Sequence, residues 1–209
     1  MSESSVKIIV YRWAGAWGPF KVKVPCGECA LSKDVILDTI EHELAGLNIE
    51  LEMHDWLTHW WKPLLLGGWH APIVVVAGKI ISQGSALNRG VLSQAVIEAH
   101  ANQSKMEGNK VFGKQACPHC KRAKQYLNEA NIEYDYLDVV KSPRALYEML
   151  ARVKPLIGAK TPVTVPQIWI DGHYVGGADQ LESIVKVHVE PNYNRGQCSL
   201  STGMEQDLK

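Results

Sequence analysis

Four of the five cysteines fall into two C-x-x-C pairs, Cys26-Gly27-Glu28-Cys29 and Cys117-Pro118-His119-Cys120; the fifth is Cys198. Two sulfurs spaced three residues apart at the start of a helix lie one turn from each other. One can attack a disulfide and the other can resolve the product. The reagent is a thiolate, and the unpaired N–H groups and dipole of a helix N-terminus stabilise such an anion. Pro118 suits a first helical turn, which places Cys117 at the mouth of the helix as the attacking sulfur and Cys120 one turn along as the resolving one. Lys114 adds positive charge, and His119 favours the anion if protonated or donating. Zinc is the competing use of paired cysteines. The pairs stand 88 residues apart, from Cys29 to Cys117, whereas zinc ribbons separate theirs by roughly 15–20. His54 and His59 lie in no ligand spacing that would complete a set with Cys26 and Cys29, so no metal is expected.

The elements needed to hold these sulfurs occur twice. In the second half, Lys110 to Phe112 reads as a strand and Pro118 to Ala130 as a helix with Ala123, Tyr126, Leu127 and Ala130 on one face. Ile132 to Val139 reads as a strand and Ser142 to Val153 as a helix opened by Ser142-Pro143. Gln167 to Ile170 and His173 to Val175 flank the hairpin signal Asp171-Gly172, and Ala178 to His188 closes as a helix. The first half repeats the order. Lys7 to Trp13 is a strand, and Cys26 opens a helix to about Leu44. Ile49, Leu51 and Met53 alternate in a half-buried strand, and Asp55 to Gly68 holds a short helix. Ile73 to Val76 and Lys79 to Ser82 flank Ala77-Gly78, and Arg89 to His100 is a helix. Pro72 follows Cys26 by 46 residues and Pro166 follows Cys117 by 49; each proline precedes its turn glycine, Gly78 or Gly172, by six. The reading is therefore an α/β chain of two tandem domains, residues 1–100 and 108–190, with a polar linker from Ala101 to Asn109 and a mobile tail at 191–209.

Gly113-Lys114-Gln115-Ala116-Cys117-Pro118-His119-Cys120 resembles the active-site stretch of dithiol glutaredoxins. Thr164-Val165-Pro166-Gln167-Ile168-Trp169-Ile170-Asp171-Gly172 with Tyr174-Val175-Gly176-Gly177-Ala178-Asp179 resembles that family's second signature. The resemblance spans about residues 108 to 190. It implies the thioredoxin fold, a four-stranded mixed sheet flanked by helices, and glutathione as cosubstrate. Lys114, His119, Thr164, Val165, Pro166, Gly176, Gly177, Ala178 and Asp179 would form its binding site. Pro166 would be cis and present the Val165 backbone to an extended peptide. Gly176 and Gly177, with the N-terminus of the last helix, would take the glutamyl carboxylate. Asp179 would take the ammonium group. Where the family has Tyr, this chain has His119, which should favour the Cys117 thiolate.

Residues 5 to 100 are similar to a thioredoxin-fold domain, less closely. Cys26 and Cys29 fit the redox position and Pro72 the cis-proline. The segment from Ala14 to Pro25 is long, position 70 is His rather than Thr, and Ser82-Gln83 replaces the double glycine, so a glutathione pocket is not expected there. Cys26 and Cys29 either exchange disulfides with the second half or a client, or belong to a non-catalytic docking module. Six of the seven tryptophans (Trp13, Trp17, Trp56, Trp60, Trp61 and Trp69) fall in this half, some expected in the core and some on a partner surface.

Acidic and basic residues balance at 22 each, which gives no long-range pull toward nucleic acid or anionic lipid. The N-terminus lacks a basic start followed by an apolar run, and the longest apolar stretches are too short to cross a bilayer. A cytoplasmic location is expected, with no nucleic-acid or membrane partner. The functional expectation is a glutathione-dependent thiol–disulfide oxidoreductase that reduces protein disulfides or glutathione mixed disulfides, with glutathione and a disulfide-bearing client as partners and no tightly bound cofactor. Electron relay between the two C-x-x-C sites is part of it. The alternative is a carrier of a glutathione-ligated iron–sulfur cluster, which Pro118 disfavours.

Overall fold

A computed structural model describes residues 5–23, 26–158 and 161–189, with the side chains of 186–189 left out. The tail expected at 191–209, with Cys198, lies outside the described residues. Two four-stranded sheets stand in tandem. The first half runs β1 (Val6–Arg12), β2 (Gly15–Trp17), β3 (Phe20–Val22), α1 (Gly27–His42), β4 (Ile49–Asp55), α2 (Trp56–His59), α3 (Trp61–Leu65), β5 (Ile73–Val76), β6 (Lys79–Gln83) and α4 (Arg89–Gln103). The second runs β7 (Lys110–Gly113), α5 (Pro118–Glu129), β8 (Asp135–Asp138), α6 (Pro143–Ile157), β9 (Gln167–Ile170), β10 (His173–Gly176) and α7 (Ala178–Val189). The strand orders β4-β1-β5-β6 and β8-β7-β9-β10 are the same arrangement. In each, a parallel pair is extended by an antiparallel hairpin. These are tandem thioredoxin-like folds.

Period-two burial explains the central strands. Val6, Ile8 and Val10 of β1 face one core with Ile36, Leu92 and Val96 from the helices, while Tyr11 faces the other side with Ile73 and Val75. In β7, Val111 packs against α5 and α7, and Phe112 packs against α6 and Trp169. Both hairpins turn through two residues of positive φ: Ala77 (47°) with Gly78 (81°), and Asp171 (49°) with Gly172 (76°). That is the primed geometry two-residue hairpins require. Gly172 is also fixed by space, since a Cβ there would meet the Met106 carbonyl oxygen at 2.5 Å.

Three local expectations are revised. The long segment after Ala14 carries the small hairpin β2–β3, which leans on α2 through the Ala16 N–H to Thr58 Oγ1 bond of 3.3 Å. Helix α6 continues past Val153 through Pro155, forgoing one N–H, and stops at Gly158, φ 93°. The linker expected from Ala101 is structured: α4 extends to Gln103, and Met106 is buried in the second core.

The halves are joined along α4 and α6. Tyr147 of α6 packs against the first core. Arg152 donates to Ala101 O (3.3 Å), Ser104 O (3.0 Å) and Ser104 Oγ (3.1 Å) at the end of α4, and to Glu148 (3.2 Å). Arg144 donates to Ala45 O at 3.0 Å. Among the described residues no helix is long and apolar enough to cross a membrane.

Candidate functional site

Cys117 is the N-cap of α5, in extended conformation, with Pro118 opening the helix. Its Sγ stands 3.6 Å from the Val165 carbonyl oxygen, and the Val165–Pro166 peptide is cis. Burial acts against a charge on this sulfur, yet its pKa lies below the ordinary thiol value. The backbone N–H and thiol of Cys120, the backbone N–H of His119 and the charge of Lys114 together outweigh burial. Cys120, behind it and buried, goes the other way. Burial, helped by the hydrogen bond with Cys117 and that residue's charge, pushes it up to about 11. The two sulfurs, 6% and 1% exposed, thus have pKa values displaced in opposite directions.

The pair should therefore titrate apart. Alkylation of Cys117 will stay fast below the pH at which free cysteine, of pKa about 8.5, becomes protonated. Cys120 will react only in strongly basic solution. A pH–rate profile with iodoacetamide, read peptide by peptide, checks this; one common profile at the free-cysteine value contradicts it.

Of the sequence-derived ligand positions, His119, Thr164, Val165, Pro166, Gly176, Gly177, Ala178 and Asp179 line one open groove of about 650 Å³. Lys114 stands outside that lining and acts on Cys117 by charge. The His119 ring does not turn to the sulfur in a hydrogen bond; its Nδ1 faces Arg122 Nη2 at 3.4 Å. Arg122 also pairs with Asp179, so this carboxylate already has a cation beside it. Gly177 N–H donates to Gln180 Oε1 at 3.1 Å. Gln167 fixes the loop before the cis-proline: its Nε2 donates to Thr164 O (2.7 Å) and its Oε1 accepts from Tyr174 Oη (2.6 Å). Sequence reasoning missed Arg122, Gln180 and the role of Gln167. The first two sit three residues after His119 and Gly177, the spacing at which helix neighbours meet.

In the first half, Cys26 is likewise an extended N-cap, of α1. Its Sγ donates to Cys29 Sγ at 2.9 Å, and Trp13 N–H donates to Cys29 Sγ at 3.2 Å. Burial and the bond from Cys26 push Cys29 up to about 11. Ala71–Pro72 is cis. Where the second half has Gly176 and Gly177, this half has Ser82 and Gln83. The His70 ring lies where a Cβ on Gly84 would meet its Nδ1 at 2.5 Å, and Gln83 Oε1 accepts from Trp69 N–H at 3.2 Å. The tryptophans divide. Trp13 and Trp56 pack together with ring centroids 5.3 Å apart, though Trp13 stays partly exposed, while Trp17, Trp60, Trp61 and Trp69 are exposed. Among the described residues no group of three or more His, Cys, Asp or Glu is placed to hold a metal ion.

The glutaredoxin family model matches residues 109–175, taking in the second C-x-x-C and its cis-proline and ending just before Gly176. Glutaredoxin 3 of Escherichia coli K12 is 32% identical over 79 residues, which is 38% of this chain and 87% of that protein. Glutaredoxin 1 of Rickettsia conorii is 37% identical over 76 residues, 36% of this chain and 70% of that protein. The solution structure of a glutaredoxin from Brucella melitensis, 28% identical, covers 40% of this chain and 84% of its own at a TM-score of 0.32. With its second C-x-x-C, its cis-proline and the length of these relatives matched together, the chain belongs to the glutaredoxin family of thiol–disulfide oxidoreductases.

Proposed function

We propose that the second half reduces disulfides at the expense of glutathione, and that the first half carries a second dithiol site that exchanges electrons with it and with a disulfide-bearing client protein. The observation that carries the first part is the lowered thiol of Cys117 beside the Val165 carbonyl, at an open groove. In the reaction, the Cys117 thiolate attacks the glutathione sulfur of a mixed disulfide. That sulfur–sulfur bond breaks, the freed client thiolate takes a proton, and Cys117 is left bonded to glutathione. A second glutathione thiolate then attacks the bound glutathione's sulfur, releasing glutathione disulfide and the Cys117 thiolate. On a protein disulfide, Cys120 resolves instead. No tightly bound cofactor is needed.

The tripeptide's backbone pairs with Val165 like an added strand. Its glutamyl carboxylate sits at the N-terminus of α7, on the Gly177 N–H. Its ammonium shares Asp179 with Arg122. In the free protein Gln180 Oε1 occupies that N–H, so Gln180→Ala removes an internal competitor. It should lower the KM for glutathione about fivefold, the worth of one hydrogen bond of about 1 kcal/mol. Steady-state kinetics with varied glutathione check it; a raised KM would place the Gln180 amide among the ligand's partners.

The test of the main reading is a glutathione-coupled assay with a glutathione mixed disulfide. No turnover above the uncatalysed rate would sink it. The relay is tested with a protein disulfide. Cys26→Ser should slow that substrate and leave the small one untouched, whereas equal rates on both would make the first half a docking module. Ser82 and Gln83 in place of the double glycine favour a protein rather than the tripeptide as its substrate.

A further inference from the structure

We propose that the Tyr136 hydroxyl is the hydrogen-bond donor that receives the Cys120 thiolate when this sulfur attacks the mixed disulfide on Cys117. The proposal rests on the disulfide-exchange reading above and concerns its least accessible step, since Cys120 is 1% exposed.

Tyr136 lies on β8 opposite Val111 of β7, under α5. Its Oη is buried and has no hydrogen-bond partner among the described residues, the resting Cys120 thiol included. A buried hydroxyl left unsatisfied calls for an explanation, because phenylalanine would pack equally well without the penalty. Gly113 supplies one. A Cβ built on Gly113 would meet Cys120 Sγ and Tyr136 Oη, each at 3.0 Å. The sulfur and the hydroxyl therefore flank the same small space, open only because residue 113 has no side chain. The resting thiol makes little demand on a donor; a thiolate demands one strongly.

The groups acting on the pair are the Lys114 backbone N–H, which already bonds Cys120, Cys117 at the N-cap of α5, Lys124 within α5, Asp138 at the end of β8 and Tyr134 just before it. Burial, then the charges of Cys120 and Asp138, push Tyr136 up to about 12, so it keeps its proton at neutral pH. Lys124 Nζ sits 3.2 Å from the Tyr136 ring centroid. A cation over the ring draws electron density from the phenol and strengthens its O–H as a donor. The same ammonium favours the charged form of Cys120 directly.

The step balances. Cys120 gives up its proton to solvent and its sulfur attacks Cys117 Sγ. The bond from Cys117 to glutathione breaks as the Cys117–Cys120 bond forms, and the departing glutathione thiolate takes up a proton. Tyr136 begins and ends protonated and acts through Cys120, as a positioning residue.

Two variants test it. In a Cys117→Ser background, Tyr136→Phe should move the alkylation midpoint of Cys120 upward by about one pH unit, and 3-fluorotyrosine at 136, a more acidic phenol, should move it downward. With Cys117 intact and preloaded with glutathione, Tyr136→Phe should slow release of glutathione about tenfold. A merely structural role would not give midpoint shifts of opposite sign. Midpoints unmoved by both changes overturn the proposal. Turnover of a glutathione mixed disulfide by the unaltered protein, measured alongside, keeps the cases apart: its absence sinks the glutathione reading, while its presence with unmoved midpoints sinks only the role of Tyr136.

Discussion

Cys117→Ser will cut reduction of a glutathione mixed disulfide by on the order of 10⁴-fold or more, the scale of losing a nucleophile. The neighbouring sulfur cannot take over. Cys120 is buried and pushed up to about 11, so at pH 7 roughly one molecule in 10⁴ carries it as thiolate. Its position one turn inside α5 also keeps it from the groove mouth, where Cys117 faces Val165. Cys120→Ser should behave differently: turnover of the glutathione mixed disulfide survives, and reduction of a protein disulfide falls because the resolving sulfur is gone. The glutathione-coupled assay on both substrates separates these outcomes. Retention of more than a tenth of the activity by Cys117→Ser would move the chemistry to Cys26 or Cys120.

Arg152→Ala should cost about 3 kcal/mol, the scale of breaking a buried ion pair, and lower Tm by about 9 °C for a chain of this size. Its side chain is 12% exposed and that of Glu148 is 20%, so screening discounts the pair little. Removal leaves the Glu148 carboxylate without its cation and takes three donated hydrogen bonds from Ala101 and Ser104, where α4 ends. Arg152→Lys keeps the charge but not the planar fork and should recover about half of the loss. Thermal unfolding by circular dichroism, with Glu148→Gln closing a double-mutant cycle, measures the share owed to the pair. A Tm within one or two degrees of the unaltered protein would mean that the join along α4 and α6 stands without it.

What could be read from the sequence was what is written locally. Alternating apolar residues marked β4 and β-branched ones β1, Asp171-Gly172 and Ala77-Gly78 marked the hairpins, and a similar spacing from cysteine to proline (46 and 49 residues) with an equal one from proline to turn glycine revealed two copies of one arrangement. The place of Cys117 at the head of α5 followed from Pro118 alone. What escaped depends on residues far apart in the chain. Arg152 meets the end of α4 only because α6 packs beside it, and Met106 is buried only because the second core closes over it. The continuation of α6 past Pro155 runs against local preference, with Leu150 and Ile157 packed on the core to either side of it. His119 looked like the natural neighbour of the sulfur. Arg122, one turn on, draws its ring away and leaves its backbone N–H to act. Tyr136 carried no motif, and its interest arises only from the space above Gly113.

The overlap of the His70 ring with the space a side chain would need at residue 84 ties those two positions together. A lone change of Gly84 to any other amino acid collides with the imidazole and forces an unfavourable φ of 75° as well. A smaller residue at 70 would relieve the collision but not the φ of residue 84, so glycine is held at 84 by backbone conformation as well as by its neighbour.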